Sequence, residues 1–378
     1  MTARLADVIE VLDGLYPPDT AQDWDAVGLV CGDPAAVVRR VLLAVDPVEQ
    51  VVTEAVERSV DLLLTHHPLY LRGTTSVAAT TPKGRVVHRL LGAGAGLFVA
   101  HTNADVARPG VSDALGDLLG LRDTRPLQAL PDPLDSLAVY VPTGSAGAVL
   151  DALAAAGAGS VGDYDRCAFT YTGTGTFRPL PGSHPAVGEV GRVEHVEETR
   201  LELVVPRVRR REVLQALFAA HPYEQPAYGL HELVDLPGAR GLGRVGELPA
   251  PVRLGELVHR AAAVLPATAW GVRATGDPDR VVRTVAVCGG SGDGLLPEAS
   301  VADAYLTADL RHHPASEAPE GLALLDAAHW ATEWPWLADV AARLTAATTV
   351  ETVVSSQVTD PWTQAAPSPP TSSEEPVA

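Results

Sequence analysis

The sequence predicts an α/β protein with a duplicated α/β core that is interrupted by a ferredoxin-like insert. Three observations support this class. Short apolar runs alternate with helical stretches from about residue 39 onward and again from residue 285, as in parallel sheets covered by helices on both faces. The stretch between them has a different order of elements. The chain of 378 residues is also longer than one ordinary domain of ~100 to 200 residues.

The first copy of the core contains three apolar strands, each followed by polar residues. These strands are 41–45 before Asp46, 60–64 before Thr65, His66 and His67, and 97–100 before His101. In the second copy the strands are 285–288 before the glycine-rich run 289–294, 304–306 before Asp309, and 322–325 before Asp326 and His329. The copies align best at 61–65 and 303–307. This match favours a duplication, and shared composition of two α/β stretches is the alternative.

The insert, residues 131–238, has its own order of elements. They are a strand at 137–141, a helix at 146–156, strands at 167–171 and 200–205, a helix at 209–220 and a strand at 228–234. The order β-α-β-β-α-β is the ferredoxin-like motif, and Pro131-Asp132-Pro133 and Pro237-Gly238 suit linkers at its two ends. The core halves are then 1–130 and 239–363, the second with a last strand at 350–354. Residues 364–378, rich in Pro, Ser and Glu, are predicted to be disordered.

Composition excludes several classes of function. The 28 Lys and Arg residues against 47 Asp and Glu residues give a net charge of −19, which argues against a nucleic-acid partner. Lys83 is the only lysine and lies outside any phosphate-binding loop of the Walker type. The three cysteines show no pairing pattern, and no apolar run of ~20 residues predicts a membrane span. We therefore expect a cytoplasmic protein.

Polar residues at the predicted strand ends form a candidate metal site, because ligands bind beyond the carboxyl ends of parallel strands. The set comprises Asp46, His66, His67, His101, Asp105, Asp309, Asp326, His329 and Glu333. His329 and Glu333 share one helical face at a spacing of four. The adjacent His66 and His67 diverge on an extended chain, so two ions would suit them better than one, and Glu333 could bridge ions ~3.5 to 4 Å apart. Imidazole and carboxylate ligands suit Zn, Fe, Mn, Co or Ni.

Each piece of this pattern has an ordinary structural alternative. An adjacent histidine pair is also typical of a helix start or a surface, and the H-x-x-x-E spacing occurs by chance. The run 289–294 is consistent with a loop whose backbone N–H groups hold a phosphate or carboxylate, and equally with a tight turn. Trp24 and Asp25 predict either a contribution to the site or a buried tryptophan beside a turn.

Six motifs give the chain a resemblance to a known family. They are WDAVGL at 24–29, LTHHPL at 64–69, HTNAD at 101–105, VCGGSG at 287–292, YLTAD at 305–309 and DAAHWATE at 326–333. In these motifs the chain resembles the NIF-three-like dinuclear-metal proteins, the GTP cyclohydrolase I type 2 homologues. Ala26, Ala308 and Ala328 stand where the family usually has Asn, Gly and Gly. None of these three is a ligand position.

The resemblance implies both a ligand set and an assembly. The implied ligands of two divalent ions are His66, His67, Asp105, His329 and Glu333. Asp309 and His313 match further polar positions and would be auxiliary groups. The family also implies a toroidal homohexamer and an insert like the PII or CutA proteins.

Two functions follow as hypotheses. The first is a metal-dependent hydrolase acting on a nucleotide-like or phosphorylated substrate; in a GTP cyclohydrolase reaction, water would open the imidazole ring of guanine. The second is a non-catalytic metal-binding or regulatory hexamer, in which the insert senses a small molecule or mediates contacts.

Overall fold

The computed structural model describes residues 3–366. The predicted tail therefore lies outside the described residues from 367 onward. The chain divides into two compact units: the segments before Pro131 and after Gly238 form the first, and Pro131–Gly238 forms the second.

Seventeen strands are present in residues 3–366. In chain order they are β1 Ala3–Arg4, β2 Gly28–Cys31, β3 Val37–Val38, β4 Arg40–Ala44, β5 Leu62–Thr65, β6 Gly96–Val99, β7 Arg122–Pro131, β8 Leu134–Pro142, β9 Phe169–Phe177, β10 Glu194–Pro206, β11 Tyr228–Glu232, β12 Pro237–Arg253, β13 Val272–Ala274, β14 Val281–Ser291, β15 Ala304–Ala308, β16 Ala323–Ala327 and β17 Glu351–Val354.

Twelve α-helices occur in the same part of the chain. They are α1 Leu5–Leu15, α2 Glu49–Glu57, α3 Pro82–Gly92, α4 Thr102–Val106, α5 Val111–Leu119, α6 Ala146–Ala155, α7 Arg210–Ala220, α8 Leu254–Val264, α9 Leu296–Ala299, α10 His312–Ser316, α11 His329–Glu333 and α12 Trp336–Ala347. None of the helices described here has both the length and the apolar character needed to cross a bilayer.

The first unit contains a five-stranded sheet in the order β17-β4-β5-β6-β2. Its first four strands are parallel, and β2 runs antiparallel to β6. Successive side chains of a strand point to opposite faces. Leu63 of β5 accordingly packs in one apolar cluster, while Leu62 and Leu64 pack in another. The parallel strands are thus buried on both faces, as their continuous apolar runs predict.

The same unit contains a six-stranded sheet in the order β13-β16-β15-β14-β12-β7. Its central strands β14, β15 and β16 are parallel and also carry apolar clusters on both faces. The segment before Pro131 contributes β7 to this sheet, and the segment after Gly238 contributes β17 to the five-stranded sheet. Each segment therefore supplies one strand to the sheet built mainly by the other.

The second unit is built on one four-stranded antiparallel sheet in the order β11-β8-β10-β9. Along the chain its elements run β8, α6, β9, β10, α7, β11. Leu137 and Leu203 from the sheet pack with Val149 and Leu217 from the two helices. This cluster is the apolar core of the unit.

One expectation about the linkers was wrong. Pro237 and Gly238 do not form a loop, because they begin the 17-residue strand β12. A proline is tolerated at the first position of a strand, where its missing N–H is not needed for pairing. The interspersed glycines of β12 also hide the alternation of apolar residues that marks a strand.

A buried ion pair joins β12 to α5. The Arg244 side chain is fully buried, and its Nε and Nη2 donate to the two carboxylate oxygens of Asp113 at 2.7 Å each. Its remaining N–H groups donate to the carbonyl oxygens of Ala107, Gly241 and Gly243. Because every donor of the guanidinium has an acceptor, the charge is compensated inside the core.

We expect Asp113→Ala to lower the free energy of unfolding by about 3–5 kcal/mol, because it leaves a buried guanidinium without its counter-charge. Chemical denaturation measures this change. The matched control is Asp279→Ala, which removes an ion pair with Arg253 in which both side chains are largely exposed. The control should stay within about 0.5 kcal/mol of the parent. Equal effects of the two substitutions would contradict the structural role of Arg244.

Candidate metal centre

The polar residues that follow the parallel strands of both sheets converge on one cluster. Asp46 follows β4, His66 and His67 follow β5, His101 follows β6, and Asp309 and His329 follow β15 and β16. Asp105 on α4 and Glu333 on α11 complete it. The carboxyl ends of the two sheets thus supply a single site, as the strand-end argument predicts.

Glu333 lies at the centre of the cluster and its side chain is only 4% exposed. Its Oε1 is 2.8 Å from Nε2 of His329 and 3.5 Å from Nε2 of His66. Its Oε2 is 3.1 Å from Nε2 of His67. Asp105 approaches from the other side, with Oδ1 3.6 Å from Nε2 of His66. One carboxylate therefore contacts imidazoles from both sheets.

The four histidines share one arrangement, in which Nδ1 donates to a fixed oxygen. The acceptors are Ala100 O for His66 at 3.0 Å, Asp46 Oδ1 for His67 at 2.7 Å, Asp25 Oδ1 for His101 at 2.8 Å and Asp309 Oδ2 for His329 at 2.7 Å. Such partners fix the ring orientation and leave Nε2 as the free nitrogen. The rings are thereby oriented before any ligand binds.

Several anchoring residues were not identified as such from the sequence. Asp25 accepts from His101 and from both the backbone N and the hydroxyl of Thr102. The neighbouring Trp24 is 59% exposed and contacts the His101 ring edge-on. Of the two alternatives for these residues, the contacts therefore support a contribution to the site and not a buried tryptophan. The WDAVGL motif was the available signal. His101 itself was gathered with the strand-end residues but not placed in the ligand set.

Two candidates lie apart from the contacts of the cluster. The Asp326 carboxylate pairs with Arg273 at 2.6 Å and accepts from the Leu310 backbone N at 3.2 Å. His313 is exposed on α10, and its ring packs against that of His312 with centroids 5.3 Å apart. Asp309, by contrast, holds His329 directly.

The carboxylates dominate the protonation of two histidines. Burial lowers the pKa of His67, but the negative charges of Glu333 and Asp46 outweigh it and raise that pKa to about 11. Burial also lowers the pKa of His329, but the contacts with Glu333 and Asp309 outweigh it and raise that pKa to about 10. Both rings are protonated at neutral pH when no cation competes.

The other members of the cluster titrate differently. Burial raises the pKa of Asp105 to about 6. Burial, reinforced by the charge of His66, lowers the pKa of His101 to about 4 despite the opposing Asp25. Burial tends to raise the pKa of Glu333, but the surrounding imidazolium groups hold it well below its ordinary value. Glu333 is therefore an anion and His101 a neutral imidazole.

The donor set fits divalent cations. Nε2 of His66 and Oε2 of Glu333 are buried and have no hydrogen-bond partner. Two groups of ligand atoms lie within 4.8 Å of one another: His66, His67 and His101 in one, and His67, His329 and Glu333 in the other. A buried polar atom without a partner calls for a missing ligand, and imidazole with carboxylate suits first-row transition metals.

Two clefts open beside the cluster. The glycine cleft, of about 470 Å³, is lined among others by Trp24, His101, Asp105, Gly289, Gly290 and Glu333. The tryptophan cleft, of about 550 Å³, is lined among others by His67, Trp270, Arg273, His329, Asp360 and Trp362. Both volumes fall in the range of small-molecule sites. His329 contributes to both, so each cleft reaches the metal candidates.

The first three residues of the glycine-rich run, 289–291, form the end of β14 and pack against the cluster. Gly290 has a φ of +68°, and a Cβ atom there would lie 2.5 Å from Oε1 of Glu333 and 3.1 Å from Nε2 of His329. The Gly290 backbone N donates to the hydroxyl of Thr332 at 2.9 Å. Close approach to Glu333 therefore requires glycine at this position.

Comparisons with known proteins agree with this geometry. Residues 3–361 match the family model described as Duf34/NIF3 (NGG1p interacting factor 3). The chain belongs to the DUF34/NIF3 family. Over 370 residues it is 52% identical to a Mycobacterium leprae protein named "GTP cyclohydrolase 1 type 2 homolog", with 96% of each chain covered. A Bacillus subtilis protein of the same name is 39% identical over 328 residues, covering 86% of this chain and 87% of the relative.

Solved structures with the same fold include a protein related to NIF3. A Bacillus cereus protein related to NIF3 superimposes with a TM-score of 0.84 at 33% identity, covering 96% of this chain and 99% of that one. Staphylococcus aureus protein SA1388 gives a TM-score of 0.78 at 26% identity over 96% and 99% of the two chains. The family that the sequence motifs indicate is thus confirmed.

In this DUF34/NIF3 protein we expect Gly290→Ala to displace Glu333, since the left-handed conformation costs about 1–2 kcal/mol for alanine and the new methyl group would overlap Oε1. Elemental analysis should find the bound metal reduced at least twofold. Gly294→Ala is the matched control in the same run, because no atom lies within 4 Å of the Cβ position there. Retention of full metal content by Gly290→Ala would contradict the required close approach.

Metal binding should release protons. His67 and His329 have pKa values of about 11 and 10, so each must lose a proton at neutral pH before its Nε2 can bind a cation. Despite its burial, the pKa of His66 is raised as well, by the charges of Glu333 and Asp105, so its ring adds to the protons released. The apparent affinity for Zn²⁺ should therefore rise with pH between pH 6 and 9, with a slope of at least about two in log affinity against pH. Competition with a chromophoric chelator measures it. His329→Ala should reduce the slope by about one, and a flat profile would contradict the assignment.

Proposed function

We propose that this protein holds two divalent metal ions and is a metal-dependent hydrolase. The observation that carries the proposal is the buried Glu333 carboxylate with the Nε2 atoms of His66, His67 and His329 within 3.5 Å of it, where His66 Nε2 lacks any hydrogen-bond partner. The proposed ligands are His66, His67, Asp105, His329 and Glu333. His101 joins the set because a nitrogen of its ring groups with ring nitrogens of His66 and His67, and Asp25 holds its ring.

Glu333 is the proposed shared ligand. Its two oxygens face different histidines, with Oε1 toward His66 and His329 and Oε2 toward His67. A carboxylate with this orientation suits a bridge between neighbouring cations. Asp105 faces only the His66 side, which makes the two halves of the site unequal.

The hydrolase proposal rests on the chemistry of this centre and on the name of the relatives. Divalent ions held by imidazoles and carboxylates supply an acidified water at neutral pH. The protein positions the ligands through Asp46, Asp25 and Asp309, and two clefts border the cluster and can admit a small molecule. The relatives are named "GTP cyclohydrolase 1 type 2 homolog", which supports a nucleotide-like or phosphorylated substrate.

The finer architecture is part of the same proposal. Each sheet of the first unit contains a set of three neighbouring parallel strands, β4-β5-β6 and β16-β15-β14, that leads into residues of the site, which supports a duplicated core. The strand order β11-β8-β10-β9 with two helices supports a ferredoxin-like insert at 131–238. The homohexamer and the auxiliary role of His313 stay predictions.

We expect freshly purified protein to contain two divalent ions per chain by elemental analysis. Glu333→Gln should reduce the content well below one ion, because the shared ligand loses its charge. Asp46→Asn keeps the shape of an anchoring group and should weaken metal affinity by about 10- to 100-fold. Screening nucleotides and phosphoesters with these variants should show turnover that falls in parallel with metal content.

The matched control is Asp163→Asn, an exposed residue of the second unit. It should change neither metal content nor turnover. Less than one ion per chain in the parent protein would contradict the proposed site. Full metal content without hydrolysis of any screened compound would leave the metal centre standing and contradict the hydrolase.

A further inference from the structure

The tryptophan cleft has an aromatic wall made by two residues distant in the sequence. Trp270 precedes β13, and Trp362 belongs to the segment that follows β17. Their ring centroids lie 6.2 Å apart with an interplanar angle of 37°, and their exposed fractions are 38% and 62%. Large exposed aromatic rings beside a cleft provide stacking surface for a flat molecule.

The segment that carries Trp362 is fixed to the site. The hydroxyl of Thr359 donates to the Asp46 carboxylate, which also holds His67. Gln50 Nε2 donates to the Val358 carbonyl oxygen at 3.1 Å. The wall is therefore tied to the anchor of a proposed metal ligand.

Asp360 supplies an unpartnered acceptor in the same cleft. The residue is 7% exposed, and its Oδ1 accepts from the Trp362 backbone N at 3.0 Å. Its Oδ2 is buried and has no hydrogen-bond partner. A buried carboxylate oxygen without a donor is costly, so this atom points to a ligand that brings an N–H group.

Arg273 defines which kind of ligand fits. Its guanidinium stacks 4.5 Å from the centre of the Trp270 ring and pairs with Asp326 at 2.6 Å. Asp326 compensates the Arg273 charge, so this wall does not call for an anionic ligand. A neutral, flat molecule with N–H donors is the chemistry that satisfies both the rings and Asp360.

We propose that the tryptophan cleft binds a planar nitrogen heterocycle that carries N–H donors, with the ring on Trp270 and Trp362 and an N–H donating to Asp360 Oδ2. Guanine and related amino-substituted bicyclic rings belong to this class. His67 and His329 line the same cleft, so the bound ring lies beside the proposed metal centre. The inference depends on the proposed function only for the reaction, since ring binding itself needs no ion.

The test is isothermal titration calorimetry of the full-length, metal-loaded protein with two probes. Guanosine presents adjacent ring and amino N–H donors, whereas caffeine is a flat purine without any N–H group. We expect guanosine to bind at least tenfold more tightly than caffeine, in line with a hydrogen bond to a charged acceptor. Equal binding of the two probes, or no saturable guanosine binding at millimolar concentration, would overturn the proposal.

Three variants separate the two contributions. Asp360→Asn keeps the acceptor for the Trp362 backbone N and should weaken guanosine about tenfold while leaving caffeine unchanged. Trp362→Ala should weaken both probes, and Trp362→Phe should restore most of the loss. Asp163→Asn, an exposed residue of the second unit, should leave both affinities unchanged. Unchanged guanosine affinity in Asp360→Asn and Trp362→Ala would sink the inference.

Glu333→Gln distinguishes this inference from the proposed function. The variant should lose metal and keep its affinity for guanosine, because the wall and Asp360 do not depend on the cations. Guanosine binding in a parent protein that holds no metal would support the heterocycle site and reject the metal-dependent hydrolase. Two bound ions without selective guanosine binding would reject the heterocycle site and leave the proposed metal centre standing.

Discussion

The site depends on one buried carboxylate that must stay ionised beside three imidazoles. Glu333 is 4% exposed in its side chain, and an isolated carboxylate at that depth would take up a proton. The histidines prevent this, and their own charges are in turn supported by Asp46 and Asp309. The arrangement is stable only when all rings keep their orientation. This requirement explains why every Nδ1 in the cluster has a fixed acceptor and why glycine is needed at position 290.

Much of the site is predictable because parallel strands place the residues after their carboxyl ends at one edge. That rule alone gathers His66, His101 and His329, which lie far apart in the chain. The rule cannot distinguish a metal ligand from a polar residue that pairs with a different charged side chain. Asp326 also follows a parallel strand, yet Arg273 from the three-residue strand β13 binds it. A strand of three residues is too short to give a recognisable sequence pattern. The pairing of Arg273 with Asp326 is therefore evident only from the structure.

In the fold, too, the elements with a local sequence pattern are predictable, and those that depend on distant contacts are not. The apolar runs of β4, β5, β6, β15 and β16 are evident because both of their faces are buried. The exchanged strands are different: β7 and β17 pair with strands from the other segment of the first unit, and β12 begins with a proline. Their places depend on contacts between segments that are distant in the sequence. The ion pair of Arg244 with Asp113 is likewise a contact over 131 positions that no local pattern indicates.

The excess of acidic residues that gives the net charge of −19 is also found within the cluster. Five carboxylates, from Asp25, Asp46, Asp105, Asp309 and Glu333, surround four imidazoles, so a cation-free site has no surplus of positive charge to attract an anion. Divalent ions would reverse this balance, and their charge has to be counted in any account of an anionic substrate. The tryptophan cleft follows a different principle. Its arginine is already paired, and its free acceptor is Asp360, so selection there depends on ring stacking and N–H donors. Such a wall can recognise a neutral heterocycle independently of charge, while the metal centre would act on the group that the ring carries.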